Sequence, residues 1–193
     1  MLTIAVIFPF LWVALFVGLW FFASSRPQID VRQLLLYVAF MAMIGPVGEV
    51  FVGTLYEALV GVPLWQYKIL PIHHGYTSLY APVIWGISGV SLYYLNEIRR
   101  VWSHKSKVQK AALSMVETIT LEAAVNVSFL LLSGGLIFYY TPGDLWHVTS
   151  LQTLPFYFGL GFVIQSSIKR MRNDTLFFAA MCGLLTLVFV YFL

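Results

Sequence analysis

Gly45, Glu49, Gly53 and Glu57 recur at every fourth position between Gln33 and Val60, a stretch that contains no Lys, Arg or Asp. This spacing keeps them on one slowly rotating stripe of a helix. Thr118, Glu122 and Asn126 repeat the spacing further along the chain. Small residues on such a stripe let a second backbone approach closely, so the carboxyls are enclosed between helices. An ionisable group at membrane depth costs several kcal/mol unless it is paired or hydrated, and no Lys or Arg lies at similar depth. Two chemistries follow. The carboxyls keep their protons, or they bind a cation, a water chain or the polar group of a ligand. A bland alternative is that each neutral Glu hydrogen-bonds a facing side chain and locks the bundle, for which Gln152, Thr153 and Gln165 are available. Glu49, Glu122, Glu57 and Asn126 are therefore the candidate reactive groups, and Glu117, nearer a basic loop, reads as structural.

Two polar loops follow these stripes. The first reads Leu64-Trp65-Gln66-Tyr67, then Pro71-Ile72-His73-His74-Gly75-Tyr76-Thr77. The second reads Phe138-Tyr139-Tyr140-Thr141-Pro142-Gly143-Asp144-Leu145-Trp146-His147. Aromatics at the membrane boundary are expected as an interfacial belt. The functional alternative is that Trp65, Tyr67 and Tyr140 wall the mouth of a cavity floored by the Glu pair. Thr77, His73, His74, Asp144 and His147 would then supply ligand or proton-transfer groups. Metal-ligand spacings of the H-x₃₋₅-H or CxxC type are absent, so neither a metal nor a cofactor is expected. Nucleotide hydrolysis and serine hydrolase chemistry have no motif here.

The elements that must hold these residues are membrane helices. Apolar residues make up 60% of 193 positions and charged residues 10%, against roughly 25% charge in soluble domains. The fold class predicted is all-α, a polytopic bundle forming a single transmembrane domain over residues 1–193. About six spans are expected, at Met1–Ser25, Gln33–Val60, Leu79–Leu95, Ala111–Ile137, Val148–Ile168 and Leu176–Leu193, since each needs about 20 apolar residues. Of the Lys and Arg residues, only Lys68 lies away from the loops containing Arg26 and Arg32, Arg99 to Lys110, and Lys169 to Arg172. Retained basic residues mark the cytoplasmic side. The two aromatic loops and both termini then face outward from a cytoplasmic (inner) membrane. The basic third loop, with His104, reads as a topology signal and an anionic-lipid contact. Cys182, alone in an apolar run, reads as a packing residue.

The chain also repeats itself. Residues 48–90 and 121–163 share residue types in the same order at offsets of 72 or 73, with one gap in the loop. Glu49 matches Glu122, Gly61 matches Gly134, Tyr67 matches Tyr140, and Thr77-Ser78-Leu79 matches Thr149-Ser150-Leu151. Pro82 is paired with Pro155 and Gly86 with Gly159. Each unit, about 45–95 and 118–168, is a rising span, an aromatic loop and a descending span. The copies should be related by a pseudo-two-fold axis along the membrane normal.

The residues Gly48-Glu49-Val50, Glu57, Leu64-Trp65, Gly75-Tyr76-Thr77-Ser78-Leu79 and Trp85-Gly86 resemble the CmpB-like family of small membrane proteins, described as ABC-transporter type IV components, and its animal transmembrane-protein branch. The second copy is similar through Glu122, Tyr140 to Asp144 and Pro155-Phe156. That resemblance implies a membrane component without an established substrate, and His73-His74 departs from it. A looser similarity, through a buried Glu, Trp65-x-Tyr67 and Pro-containing helices, is to integral-membrane carotenoid and terpenoid cyclases or hydratases. It implies Glu49 or Glu122 as an acid protonating an alkene, with Trp65, Tyr67 and Tyr140 facing the carbocation.

Three functions follow in order. The first is a protein that binds or moves a small amphipathic ligand or ion through an outward-facing cavity. The second is a membrane-embedded enzyme acting on an isoprenoid or lipid. The third is a structural subunit of a membrane complex. Membrane lipids, the ligand and a protein partner in the membrane are the expected partners, and nucleic acid is not.

Overall fold

The computed structural model describes residues 2–22 and 28–174, together with Phe178, Met181, Cys182, Leu184 and Leu185. The described residues are mostly helical, with four strands of two or three residues. There are five α-helices among them: α1 (Leu2–Phe21), α2 (Val31–Val60), α3 (Ala81–Tyr93), α4 (Lys107–Ser133) and α5 (Leu154–Asn173). The expected sixth span, Leu176–Leu193, lies almost entirely outside the described residues. Three helical stretches are long and apolar enough to cross a membrane: Thr3–Trp20, Val31–Val60 and Lys107–Ser133.

Local chemistry sets the helix ends. Asp30 caps α2 by accepting from the Gln33 amide at 3.1 Å. Ser106 and Gln109 form a reciprocal capping box, which starts α4 four residues before the expected Ala111. Both long helices stop at a glycine in the left-handed region, Gly61 (φ 82°) and Gly134 (φ 73°). There the amide reaches back to a carbonyl of the last turn, Glu57 O and Leu130 O, each at 2.8 Å. This stop ends α4 before the expected Ile137. α5 begins at Leu154, because residues 145–153 are used in a β-bridge and a 3-10 turn. α3 ends in a π turn over Tyr94–Ile98.

α2 and α3 run antiparallel in close contact. A Cβ on Gly89 would lie 2.6 Å from the Tyr37 carbonyl, and one on Gly45 would lie 2.1 Å from the Trp85 ring. α4 and α5 pack in the same way, with a Cβ on Gly161 falling 2.8 Å from the Ala111 carbonyl. α1 lies against α3 and α4, where Phe8 meets Phe129 edge to face at 5.5 Å.

The two interhelical loops join at one end of the bundle. Strand β1 (Trp65–Tyr67) pairs antiparallel with β4 (Phe138–Tyr140), with Gln66 opposite Tyr139 at the centre. Strands β2 (Pro71–Ile72) and β3 (Thr77–Ser78) pair within the first loop. Each bond flanking the β1–β4 ladder has a counterpart 73 positions on. Lys68 N donates to Ile137 O at 2.7 Å, and Thr141 N donates to Leu64 O at 2.9 Å. Adjacent residues with positive φ also recur, His73-His74 in the first loop and Trp146-His147 in the second.

Beyond Thr77 and Thr149 the offset is 72 and stays there. Gly89 and Gly161 occupy equivalent close approaches, whereas Gly86 faces Val38 and Gly159 has nothing within 4 Å. The pairings of Pro82 with Pro155 and Gly86 with Gly159 are therefore corrected. One missing residue, between His147 and Thr149, accounts for the whole shift.

Candidate ligand-binding site

Glu49 and Glu122 line the same cleft between the two helix pairs, and each carboxyl is held by a tyrosine and a threonine from its own loop. Glu49 accepts from the Tyr67 hydroxyl at 2.5 Å and the Thr77 hydroxyl at 2.6 Å. Glu122 accepts from the Tyr140 hydroxyl, and from the Thr149 hydroxyl at 2.8 Å. A third donor comes from each descending helix. Trp85 Nε1 donates to Glu49 at 2.8 Å. The Tyr157 hydroxyl reaches Glu122 and lies 3.3 Å from the Tyr140 hydroxyl. The Trp85 and Tyr157 rings meet edge to face at 6.4 Å, where the two halves face each other.

The β1–β4 ladder closes one end of this cleft. Alternation along each strand buries Trp65, Tyr67, Phe138 and Tyr140 and exposes Gln66 and Tyr139. Trp65 packs against Tyr140 at 5.8 Å and Tyr67 against Phe138 at 5.4 Å, the same pairing from either half. Trp65 Nε1 is fixed by the Tyr76 carbonyl at 2.7 Å. The cleft contains about 510 Å³ of empty space, open mouth included. Its remaining walls are Gly45, Gly48, Val52, Thr153, Phe156 and Leu160. A narrower extension runs deeper along Ser88, Thr118 and Val125. Among the described residues, no Lys, Arg or His lines either part.

The structure thus brings together Glu49, Glu122, Trp65, Tyr67, Thr77 and Tyr140, and it places the other candidates elsewhere. Glu57 accepts from the Tyr76 hydroxyl and ties the end of α2 to the first loop. This bond, then burial, holds the Tyr76 phenol above the ordinary tyrosine range, so it remains a donor. Asn126 is fully buried, but its side chain is spent on backbone: Nδ2 donates to Phe138 O and Val148 O, and Oδ1 accepts from Ile137 N. Asp144 accepts from Leu145 N, Leu151 N and the Ser150 hydroxyl, which folds the second loop. His147 Nδ1 bonds the Tyr140 carbonyl at 2.6 Å while its ring stacks on Tyr139 at 4.4 Å. His73 and His74 form the tight turn of the first loop, with φ of 51° and 57°. Among the described residues, no group of three His, Cys, Asp or Glu side chains could hold a metal ion.

Trp85, Thr149 and Tyr157 were missing from the sequence candidates. Thr149 was findable, since it lies 72 positions after Thr77. Trp85 and Tyr157 carried no signal separating them from belt or core aromatics. Comparison with family models, curated proteins and solved structures gives no match.

Proposed function

We propose that the chain is an integral protein of the cytoplasmic membrane whose two halves form a parallel repeat about the membrane normal. The cleft between them binds, and moves, a small amphipathic ligand. In this reading the β1–β4 ladder is the outer face, the basic loops lie in the cytoplasm and both termini lie outside. The resemblance to the CmpB-like family points to the same class of membrane component.

The observation that carries the reading is the convergence of two carboxyls, each with its own Tyr–Thr clamp, on one aromatic-walled void. A packing role would leave the Glu stripes against neighbouring helices with no space between them, so the void weighs against a purely structural subunit. The void also fixes the polarity of its occupant. Its strongest polar groups are acceptors, and among the described residues no basic side chain lines it. A ligand whose polar end is an ammonium, or another strong hydrogen-bond donor, would satisfy the carboxyls while its apolar part contacts the rings.

The test uses the full chain in lipid nanodiscs, titrated with an alkylammonium and an alkyl sulfate of equal chain length while Trp fluorescence is followed. The alkylammonium should give a saturable change that weakens at least tenfold in Glu49→Gln and Glu122→Gln, and the sulfate should not. Equal responses to both head groups, or a response untouched by both substitutions, would refute the reading.

One feature favours the enzyme as a second reading: apart from the carboxyls, their donors and Thr153, whose hydroxyl is taken up by the Ser150 carbonyl, the walls near the pair are hydrocarbon and aromatic. An acid in such surroundings suits protonation of an alkene. Conversion of an added isoprenoid, lost in the same Gln variants, would establish it.

A further inference from the structure

A third carboxyl is buried in α4. The position of Glu117 near the basic loop suggests a solvated, structural group, yet both of its carboxyl oxygens are sealed from solvent without a hydrogen-bond partner. A buried carboxyl in that state is costly and requires an explanation. A second, separate anomaly stands beside it. Ser88 is 4% exposed, its hydroxyl has no partner, and it lines the deep extension of the cleft together with Glu49, Glu122 and Thr118. The extension is therefore lined by an unsatisfied hydroxyl on α3. Ser91 lies one turn from Ser88 on α3 and Glu117 lies beside Thr118 on α4, and the Ser91 and Thr118 hydroxyls approach the Glu117 carboxyl without completing a hydrogen bond to it. Glu117 precedes Glu122 by five residues, about 7.5 Å along the helix axis toward the basic loops.

We propose that Glu117 is a proton-exchange site, linked to the Glu49–Glu122 cleft by water held on Ser88, Ser91 and Thr118, and that it passes protons between the cleft and the cytoplasmic side. It rests on the reading of the cleft given above. The unsatisfied groups supply two acceptor oxygens and a hydroxyl donor, the set a short water chain needs. In one cycle Glu117, protonated at rest, releases its proton to cytoplasmic water and is reprotonated through water by a cleft carboxylic acid. That cleft carboxylate then takes a proton from water at the cleft mouth, so one proton crosses and both carboxyls return to their starting state. The charged and titratable groups around it are few. Among the described residues α1 carries none, α3 and its terminal π turn bring Tyr93, Tyr94 and Glu97, α5 brings Tyr157 at the level of Glu122, and α4 itself carries Lys110 and Glu122.

Infrared spectra of the full chain in nanodiscs test the site directly. The protonated carbonyl band removed by Glu117→Gln should shift within minutes of transfer to D₂O and titrate with pH. A band that persists unshifted for hours would show a sealed structural acid and overturn the proposal. In proteoliposomes loaded with a pH-sensitive dye, a valinomycin-set potential should drive proton flux that falls at least tenfold in Glu117→Gln and recovers in Glu117→Asp. Alkylammonium binding should be unchanged in both variants. Loss of binding together with flux would place Glu117 in the packing of the cleft and refute its separate role. If the wild-type chain binds no alkylammonium, the cleft reading fails, while the infrared result still decides for or against exchange at Glu117.

Discussion

Asn126 and Glu122 lie one turn apart on α4, and only the carboxyl meets the cleft. Each step of four residues turns about 40° around a helix of 3.6 residues per turn. Over two such steps, Glu49 faces the void while Glu57 has rotated toward Tyr76. The stripe was therefore legible as spacing, but its rotation relative to neighbours was not, because that depends on which helix packs where. The histidines show the same limit. Their position beside aromatics suggested ligand chemistry, whereas their backbones serve turns in the left-handed region, a conformation His tolerates better than most residues. For Asn126 the structure makes a sharp prediction. Asn126→Ala leaves Ile137 N, Phe138 O and Val148 O without their side-chain partner, and an unpaired buried group costs about 1–3 kcal/mol. Thermal unfolding should show destabilisation of at least that size and proteolysis should cut the second loop faster, yet the folded fraction should still bind alkylammonium. A variant of wild-type stability that has lost binding would return Asn126 to the site.

At the scale of elements, close approach of α2 to α3 is what aims Trp85 at Glu49. The absent side chain of Gly45 makes room for the indole, whose Nε1 then reaches the carboxyl. Gly45→Ala should push the ring away, at an overpacking cost of about 1–3 kcal/mol. Its Trp emission should shift and its alkylammonium affinity should fall. Gly159→Ala is the control, since nothing lies within 4 Å of an added Cβ there and the substitution should leave both readouts unchanged. Unaltered emission and affinity in Gly45→Ala would mean that Trp85 does not depend on this contact. Repeat arithmetic paired Gly61 with Gly134, Tyr67 with Tyr140 and Thr77 with Thr149 without assigning them roles, and the pairing holds because the helix caps and carboxyl clamps they form are local features copied with the segment. It misaligned the descending helices, since Pro and Gly identities there compete with a packing register that only the Gly89 and Gly161 contacts reveal.

The whole molecule turns on the β1–β4 ladder, because it forces both aromatic loops to the same end of the bundle. Gln66 and Tyr139 lie opposite each other in that ladder and both are exposed. Directly opposed residues of an antiparallel pair sit within the Cα range a disulfide spans, about 4.4–6.8 Å. In a Cys182→Ser background, Gln66→Cys with Tyr139→Cys should therefore cross-link under mild oxidation, seen as a joined peptide pair after digestion. Gln66→Cys paired with Lys105→Cys should not, since Lys105 precedes the start of α4 at the opposite end of the bundle. Gln66→Cys and Lys105→Cys introduced singly in the same Cys182→Ser background test orientation. In the proposed orientation, argued from the charge asymmetry, the ladder lies outside and Lys105 in the cytoplasm, so an impermeant thiol reagent added to intact cells should modify Gln66→Cys and spare Lys105→Cys until the membrane is opened. The reverse pattern would invert the protein in the membrane and open the cleft inward. Glu117 would then become the outer rather than the cytoplasmic station. Absence of the 66–139 cross-link would go further, because it would remove the ladder and with it the arrangement that brings the two clamped carboxyls to one void.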